Sequence, residues 1–238
     1  MEKERLNKFI AECGVCSRRD ADKLIDEGRV RVNGEIASCG MKVDDADEIL
    51  INDKPITNKN RKVVLAYYKP VGVTCTEKDK FADKKITDMI KYPVRVTYAG
   101  RLDKESEGLF LLTNDGELIN CLMKGSNGHE KEYEVKINKE VTQNFIDKMS
   151  SGIYLKELNI TTRPCKVEKV GKFTFRIVLT QGVNRQIRRM CKTQNCYVTH
   201  LKRVRVTNIR LANLKIGEFR EIDGIELQTL YNEIHYEK

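Results

Sequence analysis

The sequence holds no apolar run near the roughly 18 residues that a membrane span needs; Val63 to Tyr68 is among its longest. Met1 to Arg5 mix charges and lead into no apolar stretch of the signal-peptide kind, so a cytoplasmic location is expected. The eight cysteines, at 13, 16, 39, 75, 121, 165, 191 and 196, lack the dense, even spacing of a disulfide framework and read as reduced thiols. Cys13-Gly-Val-Cys16 is the only Cys-x-x-Cys, and His129, His200 and His235 stand too far apart in sequence to complete it. Zinc is therefore disfavoured against apolar cysteines buried in a helix. Gly-x-Gly-x-x-Gly, a phosphate loop ending Gly-Lys-Ser/Thr and His-Glu-x-x-His are missing too, which removes the usual signatures of nucleotide cofactors and catalytic metals. No cofactor and no metal are expected.

Charge is abundant: 33% of the 238 residues are charged, 40% are hydrophobic, and the net charge is +9. That balance suits a globular protein with a polyanionic partner. The charge is unevenly placed. Through Ile51 there are 9 basic against 12 acidic residues, a net of −3; the remainder carries 35 against 23, a net of +12. The main grip on a polyanion is expected in the second part.

Leu6, Phe9, Ile10 and Cys13 recur at helical spacing until Gly14 interrupts them. Ser17-Arg-Arg-Asp20 is a capping-box-like start for a second helix with Ala21, Leu24 and Ile25 as its stripe and Gly28 as its stop. Arg29-Val-Arg-Val32 alternates like a strand, Asn33-Gly34 is a hairpin signal, and Ile49-Leu-Ile51 supplies a closing strand. This order resembles the S4 RNA-binding domain, whose two helices and following strand grip structured RNA. Carried over, the resemblance makes Arg5, Lys8, Arg18, Arg19, Arg29 and Arg31 candidate RNA contacts. A charge run is also the ordinary solvated face of a helix, and the unit's acidic total leaves that reading open.

Asn52 to Lys62, with Pro55 and no apolar period, is expected to be a linker between a first domain over 1–51 and a second over 63–238. In the second, strands are expected at Val63 to Tyr68, Val94 to Ala99, Leu109 to Thr113, Glu132 to Ile137, Arg163 to Val170, Phe173 to Leu179 and Val204 to Leu211. Helices are expected near Glu117 to Met123, Thr142 to Ser150, Asn184 to Lys192 and Glu226 to Ile234. Without regular strand-helix alternation the class is α+β: a small helix-helix-sheet module, then a mixed, largely antiparallel sheet domain.

Gly100-Arg-Leu-Asp-Lys-Glu-Ser-Glu-Gly108 is a charged loop between apolar strands, a placement that can support an active residue rigidly. Taken alone, Asp103 is more often a turn or cap residue than a catalyst. Three further segments change the balance: Lys69-Pro-Val-Gly-Val73, Glu130-Lys-Glu-Tyr133 and Gly182-Val-Asn-Arg-Gln-Ile-Arg-Arg-Met190. Together with the S4-like front, this ordered set resembles the RsuA-type rRNA pseudouridine synthases, most closely the large-subunit RluF type. Val183 and Arg185 stand where the wider family usually has Arg and His, a departure the RluF type shares.

The resemblance implies Asp103 as the catalytic carboxylate, Tyr133 as the aromatic that packs on the target base, and Arg188 as the cation that pairs with the carboxylate. Arg101 falls where the family places an arginine that fills the gap left by the flipped nucleotide. The residue types suit the chemistry. Uridine is detached through N1, turned and rejoined through C5, which calls for an ionised carboxylate beside sugar and base. A base that leaves its stack needs an aromatic surface to hold it. Arg185 and Arg189 are expected to bind RNA, as are Lys202, Arg203 and Arg205 on a basic outer strand face along the backbone.

The expected partner is structured RNA, in first place 23S rRNA or its assembly intermediate, possession of a tRNA loop as second substrate being open. The enzyme is expected to work as a monomer away from membranes. Rival readings are a catalytically silent S4-type ribosome-associated protein, a small-subunit rRNA synthase, and an S4-fronted methyltransferase, for which a glycine-rich donor loop is missing.

Overall fold

The computed structural model describes residues 3–56, 61–76, 84–124 and 128–236. The chain divides into two compact units, one of residues 1–63 with 92–96, the other of 64–91 with 97–238.

The first unit runs β1 (Glu4–Arg5), α1 (Leu6–Glu12), α2 (Arg18–Asp26), β2 (Val30–Val32), β3 (Glu35–Ile36), β4 (Lys42–Val43), β5 (Ile49–Ile51) and β6 (Lys54–Pro55). The Ser17 hydroxyl caps α2 by accepting from the Asp20 amide at 3.2 Å, and Gly28 at φ 68° ends it. Leu6, Phe9 and Ile10 of α1 and Ala21 and Ile25 of α2 pack on Val30, Val32, Ile49 and Ile51. Cys13 and Cys16 lie between the two helices, partly buried against this core, and not within a helix as expected.

Residues 52–55 of the expected linker belong to the sheet of the first unit. Asn52 and Asp53, at φ 50° and 60°, form a tight turn that returns the chain as β6 beside β5. Positive φ at both central positions suits a hairpin, and Pro55 is tolerated because β6 is an edge strand. Residues 57–60 of the expected linker lie outside the described residues.

The second unit runs β7 (Val64–Lys69), β8 (Thr97–Ala99), β9 (Glu107–Thr113), α3 (Gly116–Met123), β10 (Lys131–Ile137), α4 (Gln143–Ser150), β11 (Tyr154–Leu155), β12 (Ile160–Thr161), β13 (Lys166–Gly171), β14 (Thr174–Leu179), α5 (Gln186–Thr193), β15 (Val198–Val206), β16 (Ile209–Arg210), β17 (Phe219–Glu221) and α6 (Gly224–Glu233). Its main sheet has the order β13-β14-β10-β15-β9-β7-β17, with β16 on β15 and β8 on β9. Only the β15–β9 neighbours are parallel among these pairs. The α+β class and the largely antiparallel sheet are as expected.

Two expected strands are corrected. Val94 to Ala99 contracts to Thr97–Ala99, and Val204 to Leu211 is two strands, with β15 starting at Val198 and a turn at Thr207 (φ 50°) before β16. Two apolar cores form on this sheet. One joins β7 and β9 to α3 and α6 through Leu109, Leu111, Leu118 and Leu230. The other joins β10, β14 and β15 to α4 and α5 through Val135, Phe175, Ile177 and Met190.

Candidate active site

A cleft of about 410 Å³ opens in the second unit, lined from both cores by Leu122 and Val206 on one side and Leu179, Ile187 and Leu201 on the other. Into it run the loop 100–106, the start of α5, and side chains of β10 and β15.

The loop is held from below by the segment that opens with Lys69. The Lys69 ammonium is fully buried and donates to three carbonyl oxygens: Pro70 at 2.9 Å, Ser106 at 2.8 Å and Asp103 at 3.3 Å. Burial lowers its pKa, and the three carbonyl dipoles compensate the buried charge. The Gly72 amide donates to the Lys104 carbonyl at 2.7 Å. The Cys75 thiol donates to the Leu102 carbonyl at 3.2 Å, with its pKa pushed up by burial. Asp103 is thus fixed through the backbone on both sides.

Its carboxylate faces two arginines. Asp103 Oδ2 lies 3.7 Å from Arg185 Nη1 and 3.8 Å from Arg188 Nε. Arg188 is anchored at both ends of its guanidinium: Nη2 donates to the Glu105 carbonyl at 3.1 Å and the Ser106 hydroxyl at 3.3 Å, and Nη1 to the Val198 carbonyl at 3.4 Å. Its Nε is buried with no hydrogen-bond partner. Arg185 precedes α5 in a left-handed conformation, φ 52° and ψ 31°, so the helix starts at Gln186, two residues later than expected. That turn aims Arg185 Nη1 at Glu105 Oε2, 2.9 Å away. The hydrogen bond lowers the pKa of Glu105 and raises that of Arg185. Charge-assisted pairs of this kind hold a carboxylate ionised and oriented.

Tyr133 lines the cleft from β10, opposite Arg203 on β15, and Arg101 lies exposed at the cleft. The three basic residues of β15 do not share an outer face. A register shift between Glu132 and Tyr133 pairs Tyr133 with Arg203 and Glu132 with Arg205, and such a bulge breaks the two-residue alternation. Arg203 therefore turns inward, 3% exposed, with Nε donating to the Leu109 carbonyl at 2.7 Å. Arg205 is neutralised by Glu132 at 2.7 Å and Glu130 at 2.8 Å. Lys202 sits over the Tyr68 ring, 5.8 Å from its centroid. Arg189 pairs with Glu157 and donates to the Asn184 carbonyl at 3.0 Å.

Residues 63–193 match the RNA pseudouridylate synthase family, and residues 4–49 match the S4 domain. The chain belongs to the RNA pseudouridylate synthase family. This synthase is 43% identical over 229 residues to the dual-specificity RNA pseudouridine synthase RluF of Escherichia coli strain K12, covering 95% of this chain and 78% of the relative. It is 36% identical over 233 residues to the ribosomal large subunit pseudouridine synthase B of Bacillus subtilis strain 168, covering 95% of each. A solved structure, a crystal structure of pseudouridylate synthase, superposes with a TM-score of 0.70 at 30% identity, over 95% of this chain and 99% of the other.

In the first unit of the synthase the six basic positions differ in how far they are neutralised. Lys8 lies 3.5 Å from Glu4 and 3.8 Å from Glu12, Arg29 2.9 Å from Glu27, and Arg31 3.8 Å from Asp53. Arg5, Arg18 and Arg19 are exposed. Two cleft residues were not singled out from sequence, Lys131 and Cys75, and Lys69 was read only as the first residue of a segment that carries the family resemblance. The one signal for Lys131 was its place two residues before Tyr133, which puts both on one strand face.

Proposed function

We propose that this synthase converts a uridine in a stem-loop of 23S rRNA, near the peptidyl-transferase region, into pseudouridine with Asp103 as the catalytic carboxylate. The observation that carries the reading is the Asp103 carboxylate standing between Arg185 and Arg188 in the cleft that Tyr133 lines. The two guanidinium groups stand where they can orient the carboxylate that must act on sugar or base. Tyr133 offers the surface on which the extruded base packs, and Arg101 takes its place in the RNA. A loop uridine suits this chemistry, because an unpaired base costs a few kcal/mol less to flip than one in a duplex.

The large-subunit target is supported by the name of one relative, a ribosomal large subunit synthase. The words dual-specificity in the other name favour a second RNA, and a tRNA loop of similar shape is our choice. The S4 unit holds folded RNA while the second unit performs the isomerisation. The enzyme acts in the cytoplasm as a monomer. Carbodiimide mapping of pseudouridines in rRNA and tRNA from cells with and without the gene tests this. Loss of one 23S site is expected; loss confined to small-subunit rRNA contradicts the target.

A further inference from the structure

Tyr133 has two cations as neighbours on the sheet face that lines the cleft. Lys131 precedes it by two residues on β10, and the period of a strand puts both side chains on one face. Arg203 is its cross-strand partner on β15, and directly opposed side chains sit close. Both cations line the cleft.

Neither is paired with a carboxylate among the described residues. The Lys131 ammonium donates to the His129 carbonyl at 3.1 Å, and Arg203 donates through Nε alone to the Leu109 carbonyl. Arg203 Nη2 is buried with no hydrogen-bond partner. A buried donor left open costs free energy until an acceptor arrives. Burial also pushes the Lys131 pKa down to about 8, with the Arg203 charge adding to the effect. Two cations held side by side against mutual repulsion mark a place for negative charge.

Resting on the reading of the cleft as the site of uridine isomerisation, we propose that Lys131 and Arg203 form the subsite for the carbonyl oxygens of the target uracil. There they stabilise the negative charge that the ring carries while its bond to the sugar is exchanged. The isomerisation breaks N1–C1′ and forms C5–C1′. If the base departs, the bonding pair leaves with N1 and its charge spreads onto O2 and O4. If Asp103 adds to C6 instead, the displaced ring pair settles on O4. On either route C5 then supplies the pair for the new bond and sheds its proton, N1 takes one up, and any bond made to Asp103 is broken again as the carboxylate leaves, so nothing is gained or lost overall. Electron density collects on the ring oxygens in both cases. A base packed on Tyr133 presents its edge to the neighbouring Lys131 and Arg203. Fixed cations beside a charge that grows in the transition state speed the chemical step more than they tighten binding.

The test compares Lys131→Met and Lys131→Arg with the wild type in single-turnover reactions on unmodified 23S rRNA transcript, with binding measured separately. Methionine is apolar and of similar length, so the sheet should stay intact, and a thermal unfolding scan checks this. Lys131→Met is expected to slow the rate on bound RNA by at least about tenfold with little change in the dissociation constant. Lys131→Arg, which keeps the charge, should recover most of that rate. A wild-type rate in Lys131→Met overturns the subsite. So does weaker binding with an unchanged rate, which would make Lys131 a phosphate contact. A wild type that forms no pseudouridine on any RNA offered overturns the reading of the cleft itself, and the subsite with it.

Discussion

Gly108 lies against the backbone of Arg203 with no room for a side chain between them: a β-carbon there would meet the Arg203 carbonyl oxygen at 2.2 Å and its nitrogen at 2.7 Å. Its φ of 107° is a conformation that side chains avoid. Here β9 and β15 run parallel, with Gly108 opposite Arg203. The close approach brings a buried cleft cation beside the strand that leaves the Asp103 loop. Gly108→Ala is expected to lower stability by about 3 kcal/mol or more, from backbone strain plus displacement of a central strand. Urea unfolding measures it; a loss under about 1 kcal/mol would show that β15 can move aside freely.

Lys69 ties three carbonyls of two segments to one ammonium. Lys69→Met leaves those carbonyls without their donor, which costs about 2 kcal/mol or more in stability. It should also slow the reaction per folded molecule, because Asp103 loses one of its backbone anchors. Calorimetry and turnover on the same sample separate the two effects, and an unchanged rate would confine Lys69 to stability.

Lys131 links the cleft to pH. Its folded-state pKa is depressed to about 8 from the ordinary 10.5, so between these values the unfolded chain holds a proton that the folded one has lost. Stability contributed by this site therefore rises with pH across that window and is penalised in full below it. Lys131→Met removes the penalty. The variant should exceed the wild type at pH 7 by about 2 kcal/mol, after discounting for partial exposure, and its advantage should shrink between pH 8 and 10.5. Paired denaturant titrations at pH 7 and pH 10 check the sign.

Much of the fold was legible where local chemistry decides it. Ser17 and Gly28 bounded α2, and Asn33-Gly34 marked its hairpin, because caps and turns act within a few residues. The bulge in β15 was hidden, since Arg203-Val-Arg-Val206 reads as unbroken alternation until the pairing with β10 is seen. The early start of β15 was masked by Thr199, His200 and Lys202, polar residues on a strand at the middle of the sheet. Asp103 came from family resemblance, because its arginines lie some 80 residues away in sequence and no local pattern joins them. Lys69 was missed as an anchor because a lysine is ordinarily solvated, and only the folded loop supplies its three acceptors.

Arg18 and Arg19 are exposed at the start of α2, and the S4 reading gives them to RNA phosphates. Replacing both with alanine should weaken binding and lower the slope of log affinity against log salt by about 1 to 2, with the rate on bound RNA unchanged. Filter binding across a salt series measures the slope; identical slopes would show that this helix face is merely solvated.

The central claim rests on Asp103, and carbodiimide mapping of a 23S rRNA transcript incubated with purified wild type or Asp103→Asn tests it most directly. The amide keeps the shape of the side chain but can neither attack nor remove a proton as the carboxylate does. The account predicts one new pseudouridine with the wild type and none with Asp103→Asn, although the variant still folds and binds the transcript. Pseudouridine formed by Asp103→Asn at the wild-type rate would contradict it.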